Sequence, residues 1–148
     1  MKRLVFVLAL LGATAATAAW AQDAIPDLKG TWSGKGKSIV FGSHPHHPGT
    51  QTAADAPRVR DIEATYTVEG QEGRVAWGRS SSAVADTKEP FAWAISSDNK
   101  TIIGATEHGY QRITVVSPDR IENCFARHGT GAHQVVTSTC FMMDRVKQ

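Results

Sequence analysis

The sequence lacks the short motifs that define most nucleotide-binding, metal-binding and protease-type sites. It contains no Walker loop, no dinucleotide-binding glycine fingerprint, no zinc-finger spacing and no nucleophile elbow. Charged residues make up only 20% of the 148 residues, and there are only two cysteines. This composition fits neither a disordered tail nor a polytopic membrane protein. The length suits one domain with a hydrophobic core of its own.

The strongest apolar run stands at the start of the chain. Lys2 and Arg3 precede an apolar stretch over positions 4–11, and Ala19-Trp20-Ala21 forms an Ala-x-Ala cleavage pattern. A retained membrane anchor is the alternative, but the strongly apolar part is short for a bilayer. The sequence therefore predicts a cleaved signal peptide at residues 1–21 and a single domain at residues 22–148. It also predicts a periplasmic or secreted location without stable membrane insertion after cleavage.

The predicted mature chain has no excess of either charge. The full sequence holds 16 basic and 14 acidic residues, and cleavage removes Lys2 and Arg3 but no acidic residue. A chain of zero formal charge gives no electrostatic reason to expect a nucleic-acid partner. No nucleic-acid partner is therefore expected, and the sequence, which has no nucleotide-binding motif, also predicts no cofactor.

The two cysteines can form one disulfide outside the cytoplasm. Cys124 and Cys140 flank the stretch Gly129-Thr130-Gly131. A hairpin turn centred near residue 132 would place the two cysteines directly opposite each other, and Phe125, Asn123 and Ile121 opposite Thr139, Phe141 and Met143. The apolar face of that hairpin would point inward, so the disulfide would brace the outer wall. The alternative is a pair of buried free thiols.

The predicted mature chain has the pattern of short strands rather than helices. Runs rich in β-branched and aromatic residues alternate with turn signals such as Asp98-Asn99. A long loop with Pro45, Pro48 and Pro57 separates the first two runs. The predicted strands are Gly30–Phe41, Ile62–Glu69, Arg74–Ser82, Phe91–Ile95, Thr101–Glu107, Tyr110–Val116, Arg120–Arg127 and His133–Val146.

Eight antiparallel strands joined in sequence order by mostly short turns can close into a barrel. Closure removes the two exposed sheet edges, and a barrel of this size holds packed side chains or one small ligand. The fold class predicted is therefore all-β, an eight-stranded antiparallel up-and-down barrel. A two-sheet sandwich is the competing architecture.

The first and last strands carry two short motifs. Leu28-Lys29-Gly30-Thr31-Trp32 opens the first strand, and Phe141-Met142-Met143-Asp144-Arg145 closes the last. These motifs resemble those of the calycin barrels: lipocalins, avidins and a class of small periplasmic protease inhibitors. The resemblance implies that Arg145 stacks over the Trp32 indole and closes one end of the barrel. An arginine over an indole is a favourable cation–π contact in its own right.

Several aromatic and polar residues of the middle strands are candidates for a ligand pocket. Aromatic walls with a few polar groups are typical of small-molecule sites. Arginine or asparagine side chains could orient a polar or anionic group there. The tryptophans could equally be plain core. The candidate ligand-binding residues are Tyr66, Trp77, Arg79, Trp93, Arg112 and Asn123.

The most unusual local segment is Ser43-His44-Pro45-His46-His47-Pro48-Gly49. Imidazoles at His44, His46 and His47 could bind Zn(II), Cu(II) or Ni(II). The spacing matches no defined zinc site, so a solvated loop or a lid over the barrel mouth is the competing interpretation.

No catalytic arrangement can be assembled from the sequence. Ser80-Ser81-Ser82 and Glu89 offer hydroxyls and a carboxylate, but nothing places a base beside a nucleophile. The sequence therefore predicts a non-enzymatic, exported binding protein with a small ligand in or at the barrel mouth. The alternatives are a protein-binding module, such as a periplasmic protease inhibitor, and metal capture by the histidine loop.

Overall fold

The computed structural model describes residues 24–42, 56–82, 85–129 and 135–147. The predicted signal peptide at residues 1–21 and the histidines His44, His46 and His47 lie outside the described residues. Eight β-strands follow one another: β1 Gly30–Phe41, β2 Arg58–Glu72, β3 Val75–Ser82, β4 Ala85–Ile95, β5 Thr101–Thr106, β6 Gly109–Ser117, β7 Arg120–His128 and β8 Val136–Arg145.

The strands form one closed antiparallel barrel in sequence order, and β8 returns to pair with β1. The pairs Trp32–Arg145 and Val40–Thr137 lie at opposite ends of that seam. This confirms the predicted barrel and rules out the two-sheet sandwich. No helix among the described residues is long and apolar enough to cross a membrane.

Two strands are longer than the sequence pattern indicates. β2 begins at Arg58, four residues before the predicted start at Ile62. The prediction missed these residues because the inward positions before Ile62 are arginines, which a hydrophobic pattern does not detect. β4 begins at Ala85 rather than Phe91, despite Pro90. The hydrogen-bonded pairing of β4 with β5 starts only at Phe91. Pro90 lies before that point, so its missing N–H group costs no hydrogen bond to β5.

The predicted register of the last hairpin is confirmed. Cys124 pairs with Cys140 across β7 and β8, and the two form a disulfide. Asn123 and Phe141 pair beside them and are both buried, whereas Cys140 is exposed. Because side chains alternate between faces of a strand, the disulfide lies on the outer wall.

One end of the barrel, here called the closed end, is sealed around Trp32. Its indole is 1% exposed, and the Arg145 guanidinium lies 4.2 Å from the ring centroid. The indole Nε1 donates to the main-chain oxygen of Leu28 at 2.8 Å. This contact and the closed eight-strand barrel make the fold calycin-like, as the two motifs implied.

The hydrophobic core fills the barrel from the closed end to its middle. The rows of buried side chains come from every strand, as the period-2 alternation requires. The largest fully buried members are Trp32, Trp93, Leu28, Ile102, Ile113, Ile121 and Met143.

Candidate functional site

A cavity of about 170 Å³ opens at the end of the barrel opposite Trp32, here called the open end. Tyr66, Phe125 and Phe141 contribute its aromatic surfaces, and Ile62 and Ala64 add aliphatic ones. Its polar lining comes from side chains at the last one or two inward positions of the strands: Ser38, Arg60, Ser80, Ser82, Glu89, Thr106, His108, Arg127, Thr137 and Thr139.

One wall of the open end carries arginines that the barrel register brings together. On one side, Arg58 of β2 pairs with Val40 of β1. On the other, Arg127 of β7 pairs with Thr137 of β8, and Val40 and Thr137 pair with each other. These four residues therefore form one row around the barrel, with Val40 and Thr137 buried between the two arginines. Arg60 lies one inward position deeper, beside the buried Ser38.

The guanidiniums of Arg58 and Arg60 carry unsatisfied donors. Arg58 Nη2 and Arg60 Nε are buried and find no hydrogen-bond acceptor among the described residues. Burial and the neighbouring charge of Arg58 hold the pKa of Arg60 below its usual range. A guanidinium nevertheless remains protonated in proteins, so both donors stay cationic. A buried N–H of this kind is costly unless an acceptor reaches it.

On the facing wall, a histidine side chain lies against a carboxylate. His108, in the turn between β5 and β6, places Nε2 3.1 Å from Glu89 Oε1 on β4. Glu63 also borders the cavity, but its carboxylate lies 3.1 Å from the Lys35 ammonium on the outer wall. Among the described residues, Glu89 is thus the carboxylate that faces the cavity from an inward strand position, against the three arginines of the other wall.

A buried polar network lies below the cavity. Trp93 Nε1 donates to Gln111 Oε1 at 2.9 Å, and Gln111 Nε2 donates to the Tyr66 hydroxyl at 2.7 Å. Gln111 Nε2 also lies 3.4 Å from Asn123 Oδ1. Since Tyr66 lines the cavity, this network connects the cavity to the indole of Trp93.

Aromatic packing holds Tyr66 in place below the open end. Its ring lies 5.4 Å from Phe91 and 5.9 Å from Trp93, and these two rings are 4.5 Å apart. Burial and, to a smaller extent, the charge of Glu89 raise the pKa of Tyr66, and hydrogen bonds with Asn123 and Gln111 offset only part of that effect. The hydroxyl therefore remains neutral and can donate to a ligand or accept from it.

The structure brings three of the predicted ligand-binding residues together and separates the other three. Tyr66, Trp93 and Asn123 face the barrel interior. Trp77 pairs with Ala92 rather than with Trp93, so the two tryptophans lie on opposite faces of the sheet, and Trp77 is 45% exposed. The expectation that both ring systems line one pocket is therefore corrected.

Arg79 and Arg112 also point to the outer wall. Arg79 shares the face of Trp77, and its Nε lies 3.7 Å from Glu69 Oε1. Arg112 pairs with Cys124 and lies on the face of the disulfide. Alternation along β3 and β6 places both arginines outside the cavity, so they cannot orient a ligand within it.

The site residues that sequence reasoning missed are Arg58, Arg60, Arg127, Glu89, His108 and Gln111. A usable signal existed for Arg58 and Arg60, which continue the alternation of Ile62 and Ala64. Arg127 likewise continues that of Asn123 and Phe125. A signal also existed for His108 and Glu89, because β4 and β5 are consecutive strands joined by the Asp98-Asn99 turn. Their register, continued two residues beyond Phe91–Thr106, sets Glu89 opposite His108.

Among the described residues, no group of three or more histidine, cysteine, aspartate or glutamate side chains is arranged to hold a metal. The histidines His44, His46 and His47 lie outside the described residues, so metal binding by that segment stays a prediction.

No protein-family model matches the chain, and no curated protein matches it. Among solved structures it is similar to the S-type phycobiliprotein lyase CPES from Guillardia theta, with 14% sequence identity. The match covers 82% of this chain and 89% of that chain, with a TM-score of 0.37. So distant a likeness carries no argument about ligand or activity.

Proposed function

We propose that this chain is an exported, non-catalytic binding protein that takes a small molecule into the open-end cavity. The observation that carries the proposal is the cavity itself, with aromatic walls below and convergent polar groups above. Apolar lining with a few well-placed polar groups is the usual composition of a small-molecule site. The sealed closed end leaves the open end as the route of entry.

The size of the cavity limits the ligand. Pockets for drug-sized ligands occupy roughly 300–1,000 Å³, whereas this cavity occupies about 170 Å³. A protein cavity of about 150 Å³ accepts benzene. The part of the ligand held inside the cavity is therefore about the size of a substituted benzene ring.

Binding without chemistry is supported by the hydrogen bond of Ser80, one of four serines that line the cavity. Ser80 Oγ donates to the main-chain oxygen of Glu89 at 3.4 Å. A serine nucleophile would instead donate to a base that a third group orients. His108 and Glu89 form the base–orienter half of such an arrangement, and they act here as a polar wall.

Export is supported by the leader-like sequence and by the disulfide. Lys2, Arg3 and the Ala-x-Ala pattern before Gln22 are those of a secretory signal. The Cys124–Cys140 disulfide suits an oxidising compartment such as the periplasm.

Two buried indoles make a direct test of binding. The Trp93 Nε1–H connects through Gln111 to the cavity, whereas the Trp32 Nε1–H lies at the closed end. We expect a panel of small neutral, anionic and cationic metabolites to contain compounds that shift the Trp93 indole resonance in ¹H–¹⁵N spectra. The Trp32 resonance should stay in place, and Trp→Phe variants would assign both signals.

The outcome is decisive in either direction. A panel in which no compound moves the Trp93 resonance contradicts the proposal, as does turnover of any compound that binds. A compound that shifts both indoles equally acts on the whole fold rather than in the cavity.

The outer wall favours protein binding as a second candidate function. Trp77, Ala92, Ala105 and Tyr110 pair in one exposed row across β3 to β6. Small residues between two exposed aromatic rings make a flat apolar strip of the kind that partner proteins cover. Trp77→Lys should then abolish a specific protein complex while leaving every ligand-induced shift of Trp93 unchanged.

A further inference from the structure

We propose that the ligand of the open-end cavity is a small organic carboxylate, bound through the guanidinium of Arg60 on the cavity wall. This inference rests on the proposed function and specifies the charge and class of the ligand. It is argued from three observations: the charge of the cavity wall, the position of Arg60 on that wall, and the aromatic floor.

The wall has more positive than negative groups at inward positions. Arg58, Arg60 and Arg127 face inward within two rows of each other on strands β2 and β7. The Glu89 carboxylate belongs to the facing wall, where His108 lies 3.1 Å away. Burial and the positive charge of Arg58 both lower the pKa of Arg60, because each disfavours its charged form. An anion placed beside Arg60 would relieve that repulsion.

The position of Arg60 shows where the anion fits, because the cavity lining includes Arg60 but not Arg58. Arg58 Nη2 and Arg60 Nε are buried without an acceptor among the described residues. Guanidinium groups present planar forks of N–H donors, which match the two oxygens of a carboxylate. A carboxylate in the cavity therefore pairs with the Arg60 guanidinium through charge-assisted hydrogen bonds, whereas a neutral hydroxyl offers one weak acceptor.

The floor of the cavity favours an organic body on the carboxylate. Tyr66, Phe125 and Phe141 line the space below the arginines. An apolar ring or short aliphatic group gains free energy by leaving water for this surface. An inorganic anion would contact the arginines but leave the aromatic surface unused.

A charge series on one scaffold tests the inference. Benzoate, benzamide and benzylamine have nearly the same shape and carry a negative, zero and positive charge at pH 7. We expect calorimetry to give a benzoate Kd at least about tenfold lower than that of benzamide, since charged hydrogen bonds are the stronger ones. Benzylamine should not bind, and raising the ionic strength should weaken benzoate alone.

Matched variants locate the interaction. Arg60→Met should weaken benzoate about tenfold or more and leave benzamide unchanged, and Arg58→Met should act in the same direction. Arg60→Lys keeps the charge without the fork, so an intermediate affinity is expected. Arg112→Met removes an exposed arginine of the outer wall and should change neither affinity. An unshifted Trp32 indole resonance shows that each variant is folded.

The failure of this inference is distinguishable from failure of the proposed function. If benzamide or benzylamine binds at least as tightly as benzoate, the cavity still binds small molecules but the carboxylate class is wrong. Inorganic phosphate that binds more tightly than benzoate also overturns that class. If neither the charge series nor the metabolite panel moves the Trp93 resonance, the proposed function itself is contradicted.

Discussion

Tyr66 illustrates how the interior changes the chemistry of a single residue. Burial raises the pKa of its hydroxyl above the ordinary value of 10.0. The unfolded chain ionises at that ordinary value, so the neutral, buried hydroxyl contributes fully to stability below pH 10. This contribution is lost as pH rises through the higher pKa of the folded state.

Tyr66→Phe should therefore flatten the alkaline loss of stability. Above pH 10 we expect the free energy of unfolding of the wild type to fall more steeply, by up to about 1.4 kcal/mol per pH unit. Urea unfolding at several pH values measures the difference. Tyr110→Phe, at a side chain 71% exposed, should keep the wild-type slope. Parallel curves for wild type and Tyr66→Phe would contradict the prediction.

Arg60 is a residue at which binding and stability oppose each other. Its Nε is buried without an acceptor among the described residues, and Arg58 repels its charge. Without ligand, Arg60→Met should melt higher than the wild type by about 3 °C, the shift expected for roughly 1 kcal/mol in a domain of this size. Benzoate should stabilise the wild type but not the variant. A lower melting temperature in the ligand-free variant would show that the guanidinium already has a stabilising partner.

At the scale of the strand pair, the disulfide adds a covalent link to a ladder that is already complete. β7 and β8 pair continuously from Arg120 to His128, and the disulfide joins residues 16 apart in sequence. The double variant Cys124→Ala/Cys140→Ala should fold but lose about 3 kcal/mol of stability, because the unfolded chain regains loop entropy. Urea unfolding measures this loss. A reductant should destabilise only the wild type, and the Trp93 response to benzoate should persist.

The sequence predicts the bounds and register of some strands better than those of others. The turn near residue 132 predicted the register of β7 and β8 around the cysteines, because the two strands are joined directly by that turn. Alternation predicted β2 only from Ile62, because the inward positions before it are arginines. It also placed Trp77 with Trp93, since the relative register of β3 and β4 depends on a turn that residue patterns leave open. Alternation therefore predicts the core well and the polar open end poorly.

At the scale of the whole molecule, Arg145 joins segments that are far apart in the chain. Its guanidinium donates to the main-chain oxygens of Asp27 at 2.8 Å and Pro118 at 2.9 Å, and to that of Lys29. Its Nε lies 3.0 Å from Asp119 Oδ1. The strand termini, the β6–β7 turn and the residues before β1 thus meet over the Trp32 ring, and this contact seals the closed end.

Arg145→Ala should accordingly weaken the whole barrel rather than one strand. We expect a loss of about 3 kcal/mol in the free energy of unfolding, since charged hydrogen bonds to three carbonyl groups and the indole contact disappear together. Near-ultraviolet circular dichroism should report a loosened Trp32, and Arg145→Lys should recover only part of the loss because it lacks the fork.

Arg120 supplies the matched control for that variant. It lies near the same end, in a two-point pair with Asp144 at 2.7 and 3.0 Å, but it is exposed to solvent. Because water screens exposed pairs, Arg120→Ala should have a much smaller effect than Arg145→Ala. Equal losses for the two variants would mean that general surface charge, rather than the seal over Trp32, determines the stability of the closed end. An unaltered benzoate affinity in the still-folded Arg145→Ala protein would further show that the open end binds independently of that seal.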